Sequence, residues 1–141
     1  MKNLIFAARL IELPHHVEPN GELVVMEGDA VIPFNIARVF LVRAAIGETR
    51  GRHAHRKCSQ FLVCSAGRIT VTCDDGFEIA AFTLDRPNLG LFIPPSIWAE
   101  QSYDETRSIL TVLCDHPFEE GDYIRDYEEF KSYKIKMKEQ E

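Results

Sequence analysis

The sequence predicts an all-β protein, an antiparallel barrel or sandwich followed by one short C-terminal helix. Three observations carry this. Short apolar runs recur up to about residue 115, turn residues separate them at close intervals, and helical spacing takes over only in the last twenty residues. The chain has 141 residues, which suits one domain burying roughly 68–70 % of its unfolded surface without disulfide help.

The expected strands, in order, are Leu4–Leu10, Glu22–Met26, Arg38–Ala45, Gln60–Ser65, Ile69–Cys73, Glu78–Phe82, Leu91–Ile93 and Ser108–Cys114. A further strand is expected to carry His53 and His55. Breakers stand between the runs: Pro19-Asn20-Gly21, Gly47, Ala66-Gly67, Asp74-Asp75-Gly76 and Pro87-Asn88-Leu89-Gly90. Asp75-Gly76 between two strand-like runs is a hairpin signal. Beyond the barrel (residues 4–115), Tyr123, Tyr127 and Phe130 fall at i, i+4, i+7, one helical face, with Asp122 as the expected cap. This places a helix over 122–137 and one domain over 1–141, without repeat, linker or low-complexity segment.

Charge narrows the partners. With 16 Lys+Arg against 22 Asp+Glu the formal net charge is −6, so no basic face for a nucleic-acid backbone is expected. One phosphorylated small molecule held by two or three arginines remains open. The N-terminus, Met1 to Arg9, begins like a secretory signal but breaks at Arg9 and Glu12, and no run approaches the ~20 apolar residues of a membrane helix. The cysteines, Cys58, Cys64, Cys73 and Cys114, lack C-x-x-C spacing and read as free thiols of a reducing cytoplasm.

The chemistry concentrates in Gly47-Glu48-Thr49-Arg50-Gly51-Arg52-His53-Ala54-His55-Arg56-Lys57-Cys58-Ser59-Gln60, continuing to Gly67. Residues i and i+2 of a strand share a face, so His53 and His55 lie side by side, roughly 6–7 Å apart. Two imidazoles on one inner face can hold a metal or act as acid and base.

Gly47, His53-x-His55, Gln60 and Gly67 in this spacing resemble the first motif of the cupin superfamily, in which the histidine pair faces the barrel lumen. Metal-dependent cupins usually add Glu at the position of Gln60 and a third His in a second motif. Here Gln60 is neutral, and in Pro94-Pro95-Ser96-Ile97-Trp98 an indole, a donor only, stands near the place of that histidine. The resemblance therefore implies proton transfer without metal. His15, His16 and His116 are expected in loops.

Four motifs in order sharpen the resemblance. They are Arg50-Gly51-x-His53-Ala54-His55-Arg56-Lys57, Cys73-Asp74-Asp75-Gly76, Gly90-Leu91-Phe92-Ile93-Pro94-Pro95-x-Ile97-Trp98-x-Glu100-Gln101, and Asp122-Tyr123-Ile124-Arg125-Asp126-Tyr127-x-Glu129-Phe130. Over about 32–130 the chain resembles the nucleoside-diphosphate-sugar 3,4-ketoisomerases, cupins of double-stranded β-helix (jelly-roll) fold. The resemblance implies isomerisation of a dTDP-linked 4-keto-6-deoxy sugar to its 3-keto isomer in bacterial deoxyamino-sugar biosynthesis, with no cofactor. His53 and His55 would be catalytic. Arg50 would meet the diphosphate or enolate, with Gly51 allowing a bulge that re-aims it. Gln60 would bind substrate or orient a histidine. Arg43 is either phosphate-facing or exposed, Trp98 either stacks on substrate or fills the core, and Glu100 and Gln101 would reach sugar hydroxyls. Relatives are homodimers that often exchange an N-terminal strand, which makes Leu4–Leu10 the expected exchanged segment. The chain departs from many relatives at Leu41, where they carry Tyr, and at Ala99. These departures leave two rivals, a non-catalytic sugar-nucleotide-binding cupin and a sugar-nucleotide 3,5-epimerase; a third, a metal-dependent oxygenase, is disfavoured by Gln60 and Trp98.

Overall fold

Alternating apolar residues and frequent turns give strands that pair antiparallel and bury one or both faces. The computed structural model describes residues 7–141. The strands are β1 (Arg9–Glu12), β2 (His15–Glu18), β3 (Gly21–Val24), β4 (Arg38–Arg43), β5 (Thr49–His55), β6 (Gln60–Ala66), β7 (Ile69–Asp74), β8 (Ile79–Leu84), β9 (Leu89–Ile93), β10 (Trp98–Tyr103), β11 (Ile109–Cys114) and β12 (Tyr123–Ile124), followed by helix α1 (Tyr127–Glu139). Two five-stranded sheets, β1-β9-β6-β11-β4 and β12-β5-β10-β7-β8, form a jelly-roll barrel of the cupin type, and β2-β3 make a separate hairpin. No helix among the described residues is long and apolar enough to cross a membrane.

The central strands are buried on both faces, as sheets covered on both sides must be. On β6, Leu62 and Cys64 join Ile69, Val71, Leu84, Leu91 and Leu110 in the core between the sheets. Phe61 and Val63 alternate outward and pack with Leu13, Ile32, Phe34 and Leu113 beneath the chain that follows β1. A third cluster, Ala54, Trp98, Ile124 and Phe130, lies on the outer face of the second sheet under α1.

Several expectations change. Trp98–Tyr103 is a strand, central in its sheet, although its polar residues hid it from an apolar-run reading. His15 and His16 belong to β2 and pair with Val24 and Leu23, rather than lying in loops. Of the expected strand Leu4–Leu10, residues 4–6 lie outside the described residues, and the strand begins at Arg9. The helix starts at Tyr127, not Asp122. Asp126 is its cap, its Oδ2 accepting from the Glu129 backbone N–H at 2.9 Å, and Glu128 and Glu129 favour the positive end of the helix dipole. Tyr123 instead pairs with His55, and Ile124 with Ala54, as a strand along β5.

Candidate active site

Strand β5 carries the site because it holds the His-x-His pair and a bulge. Pairing with β10 passes from Ala99 opposite His53 to Glu100 opposite Gly51, leaving Arg52 as an extra residue. Gly51 and Arg52 both take positive φ, 87° and 60°. A Cβ on Gly51 would lie 2.5 Å from Gln101 Oε1, so glycine serves both the backbone turn and the close approach of that amide. The bulge resets the alternation, and Arg50 and His53 both face the lumen. This is the re-aiming that Gly51 led one to expect.

The lumen holds a cavity of about 220 Å³ lined by Arg50, His53, Gln60, Gln101, Tyr123 and Arg125, with Phe40, Val42, Leu62, Leu110 and Val112 as its apolar wall. His53 and His55 have ring centroids 5.1 Å apart, edge to face. Tyr123 closes over both, its ring 5.0 Å from His53 and 4.4 Å from His55. Arg125 stacks on Tyr123 with Cζ 4.2 Å from the ring centroid and is gripped at Nε and Nη2 by Glu120, at 2.8 and 3.2 Å.

Behind this layer, His55 Nδ1 lies 2.8 Å from Asp122 Oδ2, and both side chains are buried. The Lys57 backbone N–H donates to Asp122 Oδ1 at 2.6 Å. The carboxyl is held below its usual range. Burial alone would raise it, and the His55 hydrogen bond with the Lys57 and Cys58 backbone donors overcomes that. With an ionised Asp122 accepting at Nδ1, His55 donates there and leaves Nε2 as a bare lone pair. That atom is buried with no hydrogen-bond partner. Burial lowers the His55 pKa against the upward pull of Asp122, with Arg38 and Arg125 adding to the lowering. His53 is pushed down to about 4, first by burial and then by His55 and Arg125. Near neutrality both rings are therefore uncharged, the form that can accept a proton.

The structure brings Arg50, His53, Gln60 and Gln101 to one cavity with His55 directly behind. It does not bring Arg43, Trp98 or Glu100 there. Alternation along β4 turns Phe40 and Val42 inward and Leu41 and Arg43 outward. Arg43 lines a separate recess with Arg107 and Ile109, and Leu41 is 66 % exposed. Alternation along β10 sends Gln101 inward and Trp98 and Glu100 to the outer face. There the Trp98 indole donates to Glu100 Oε2 at 2.9 Å and packs on Tyr127 and Phe130. Trp98 is a core residue under α1. Asp122, Tyr123 and Arg125 escaped the sequence reading because they were assigned to the helix. The Asp126-x-x-Glu129 capping pattern was the signal that would have freed them.

Among the described residues, two clusters carry enough donors to consider a cation. His55, Cys58 and Asp122 have ligand atoms within 4.8 Å of one another, as do Cys58, Asp115 and His116. In the first, His55 Nδ1 and both Asp122 oxygens already hydrogen-bond within the protein, so the trio fits a histidine–carboxylate dyad beside a thiol better than a ligand set.

The family model described as FdtA: WxcM-like, C-terminal, matches residues 7–135. The chain belongs to this family. The TDP-4-oxo-6-deoxy-alpha-D-glucose-3,4-oxoisomerase of Aneurinibacillus thermoaerophilus is 38 % identical to it over 130 residues, 92 % of this chain and 94 % of that protein. The crystal structure of QdtA, a sugar 3,4-ketoisomerase from Thermoanaerobacterium thermosaccharolyticum in complex with TDP, superposes with a TM-score of 0.90 at 30 % identity, covering 94 % of this chain and 98 % of that one. A His-to-Asn mutant of QdtA in complex with TDP-4-keto-6-deoxyglucose superposes with a TM-score of 0.88 at 31 % identity, covering 92 % and 94 %.

Proposed function

We propose that the chain is a cofactor-independent sugar-nucleotide 3,4-ketoisomerase acting on a dTDP-linked 4-keto-6-deoxy-hexose. The observation that carries this is the buried His55–Asp122 dyad, with its bare Nε2, beside His53 and Tyr123 at the cavity of an FdtA-family barrel. A ketone at C4 acidifies the C3 proton. His55 Nε2 is the base that removes it, and the electrons of the C3–H bond form the C3=C4 bond while the carbonyl oxygen becomes the enolate. That oxygen gains a proton to give the enediol. Loss of the C3 hydroxyl proton and protonation at C4 then yield the 3-ketone, with no net change in atoms or electrons. Each transfer by a positioned group is worth about 10²–10⁴-fold.

Asp122 orients His55 and stabilises its imidazolium once the proton is taken. His53 and the Tyr123 hydroxyl are the groups placed to handle the oxygen and C4 protons. Gln60 and Gln101 offer amide donors to sugar oxygens, and Arg50 offers charge to the enolate. Phe40 and Val42 wall the lumen where Leu41 does not reach. Leu41, one of the two departures from relatives with Ala99, points away from this cavity, which supports the catalytic reading over a mere binding module.

We further place the protein in the bacterial cytoplasm, in deoxyamino-sugar synthesis for lipopolysaccharide or O-antigen, as a homodimer with exchange of the N-terminal strand. The four free thiols support the compartment. Edge strand β4 shows Val39 and Leu41 to solvent, which supports a second copy against that face. Light scattering on the purified chain tests the dimer.

The activity is tested by incubating the protein with dTDP-4-keto-6-deoxyglucose in D₂O and following the sugar by NMR. The 3-keto isomer is the expected product. A 3,5-epimerase would keep the ketone at C4 and exchange deuterium into C3 and C5, and a binding module would leave the sugar unchanged; either result overturns the reading.

A further inference from the structure

The residues lining the lumen cavity include two arginines, Arg50 and Arg125, and no carboxylate, in a chain of net charge −6. Such a wall selects an anion. Arg50 was expected from the β5 motif, whereas Arg125 reaches the cavity only because β12 lies along β5. Its guanidinium is held on two sides, stacked on Tyr123 and forked onto the Glu120 carboxylate. A guanidinium has five N–H donors, so this arrangement leaves three for another partner.

The Glu120 fork has the geometry by which arginine binds a phosphate, two parallel N–H···O bonds from one edge. The pair is also solvent-exposed, with 52 % of the Arg125 side chain and 65 % of Glu120 accessible. An exposed ion pair is weak and readily exchanged. His55 is buried and His53 half-buried, whereas about half of the Arg125 side chain is exposed. A sugar nucleotide whose sugar reaches the two imidazoles therefore leaves its diphosphate nearer the exposed side of the cavity, where Arg125 stands.

We propose that Arg125 is a diphosphate anchor of this cavity and that Glu120 is its resident competitor, displaced when the substrate enters. The inference rests on the sugar-nucleotide reading. It adds a specificity role: Glu120 sets a threshold that a dianionic diphosphate crosses and an uncharged nucleoside does not.

The test is calorimetric titration of TDP and of thymidine into the wild-type protein and the variants Arg125→Ala, Arg125→Lys and Glu120→Gln. Charge-assisted, bidentate contacts to phosphate predict that Arg125→Ala weakens TDP by about 10- to 100-fold and leaves thymidine within about twofold. Arg125→Lys keeps the charge, loses the fork and falls between. Glu120→Gln tightens TDP by about 3- to 10-fold with thymidine unchanged, since only the competing charge is removed. Unaltered TDP affinity in Arg125→Ala, or an equal loss for thymidine, overturns the anchor. A Glu120→Gln variant that binds TDP no tighter overturns the competitor. If the wild-type protein binds neither TDP nor UDP, the sugar-nucleotide reading itself falls, a result distinct from wild-type binding that the Arg125 variants leave intact.

Discussion

His55 and Asp122 form a buried hydrogen bond of 2.8 Å between residues 67 positions apart, and β12 is the element that makes it possible. The Arg56 backbone N–H donates to the Asp122 carbonyl at 2.8 Å, and the Arg56 guanidinium donates to the Gly121 and Tyr123 carbonyls at 3.1 and 2.9 Å. Arg56, next to the His-x-His pair, thus clamps the segment that supplies the carboxylate at His55.

Asp122→Asn keeps the size of the side chain but removes its charge and can impose the wrong His55 tautomer. The expected result is a fall in kcat of about 10²-fold or more with KM changed little, because the loss is felt as the imidazolium forms. Steady-state kinetics checks this; a variant with wild-type kcat removes Asp122 from the mechanism.

Both histidines are held below their ordinary pKa, so their contribution to stability depends on pH with a definite sign. Above about pH 6.5 they are neutral, folded or unfolded. Between about 6.5 and the folded value of His53, about 4, the unfolded chain binds protons that the folded chain refuses. Stability is therefore complete above this window and is lost as pH falls through it, by up to about 1.4 kcal/mol per pH unit for each such group. Urea unfolding at pH 7.5, 6.5, 5.5 and 4.5 should show the decline, and His53→Asn should flatten it. Equal slopes in both proteins would exclude His53 as the source.

Phe130 is fully buried against Trp98 and Ile124. Phe130→Ala should destabilise the protein by about 3–5 kcal/mol, the usual loss for a buried aromatic. Chemical denaturation measures it, and a loss under about 1 kcal/mol would mean that α1 contributes little to holding β12.

The His-x-His pair was legible because strand periodicity fixes which residues share a face. Arg50 was legible because glycine before the pair permits a bulge. The opposite wall was not. Tyr123, Tyr127 and Phe130 satisfy helical spacing, yet Tyr123 gains more as a strand partner of His55, and Asp126 is the better cap. Local periodicity cannot register a contact formed across 67 residues. Glu100 was misplaced, and Trp98 left open between substrate and core, for a related reason: strand alternation admits Gln101 to the lumen and sends both outward, but the sequence does not say which parity faces in.

Activity should survive EDTA. His55 Nδ1 and both Asp122 oxygens are committed to hydrogen bonds within the protein, which leaves Cys58 alone of the His55, Cys58 and Asp122 trio to ligate. Gln60 Nε2 lies 3.5 Å from Cys114 Sγ, whereas a tight site uses three or four ligands. Stoichiometric metal by elemental analysis, with activity lost on its removal, would contradict the acid–base scheme.

The most direct test compares wild-type protein with His55→Asn on dTDP-4-keto-6-deoxyglucose, following the 3-keto product by NMR and TDP affinity by calorimetry. Asparagine preserves a polar side chain but cannot take a proton near neutrality. The account predicts a loss in kcat of about 10²–10⁴-fold, with TDP affinity within about twofold of wild type. Turnover by His55→Asn at the wild-type rate would contradict it.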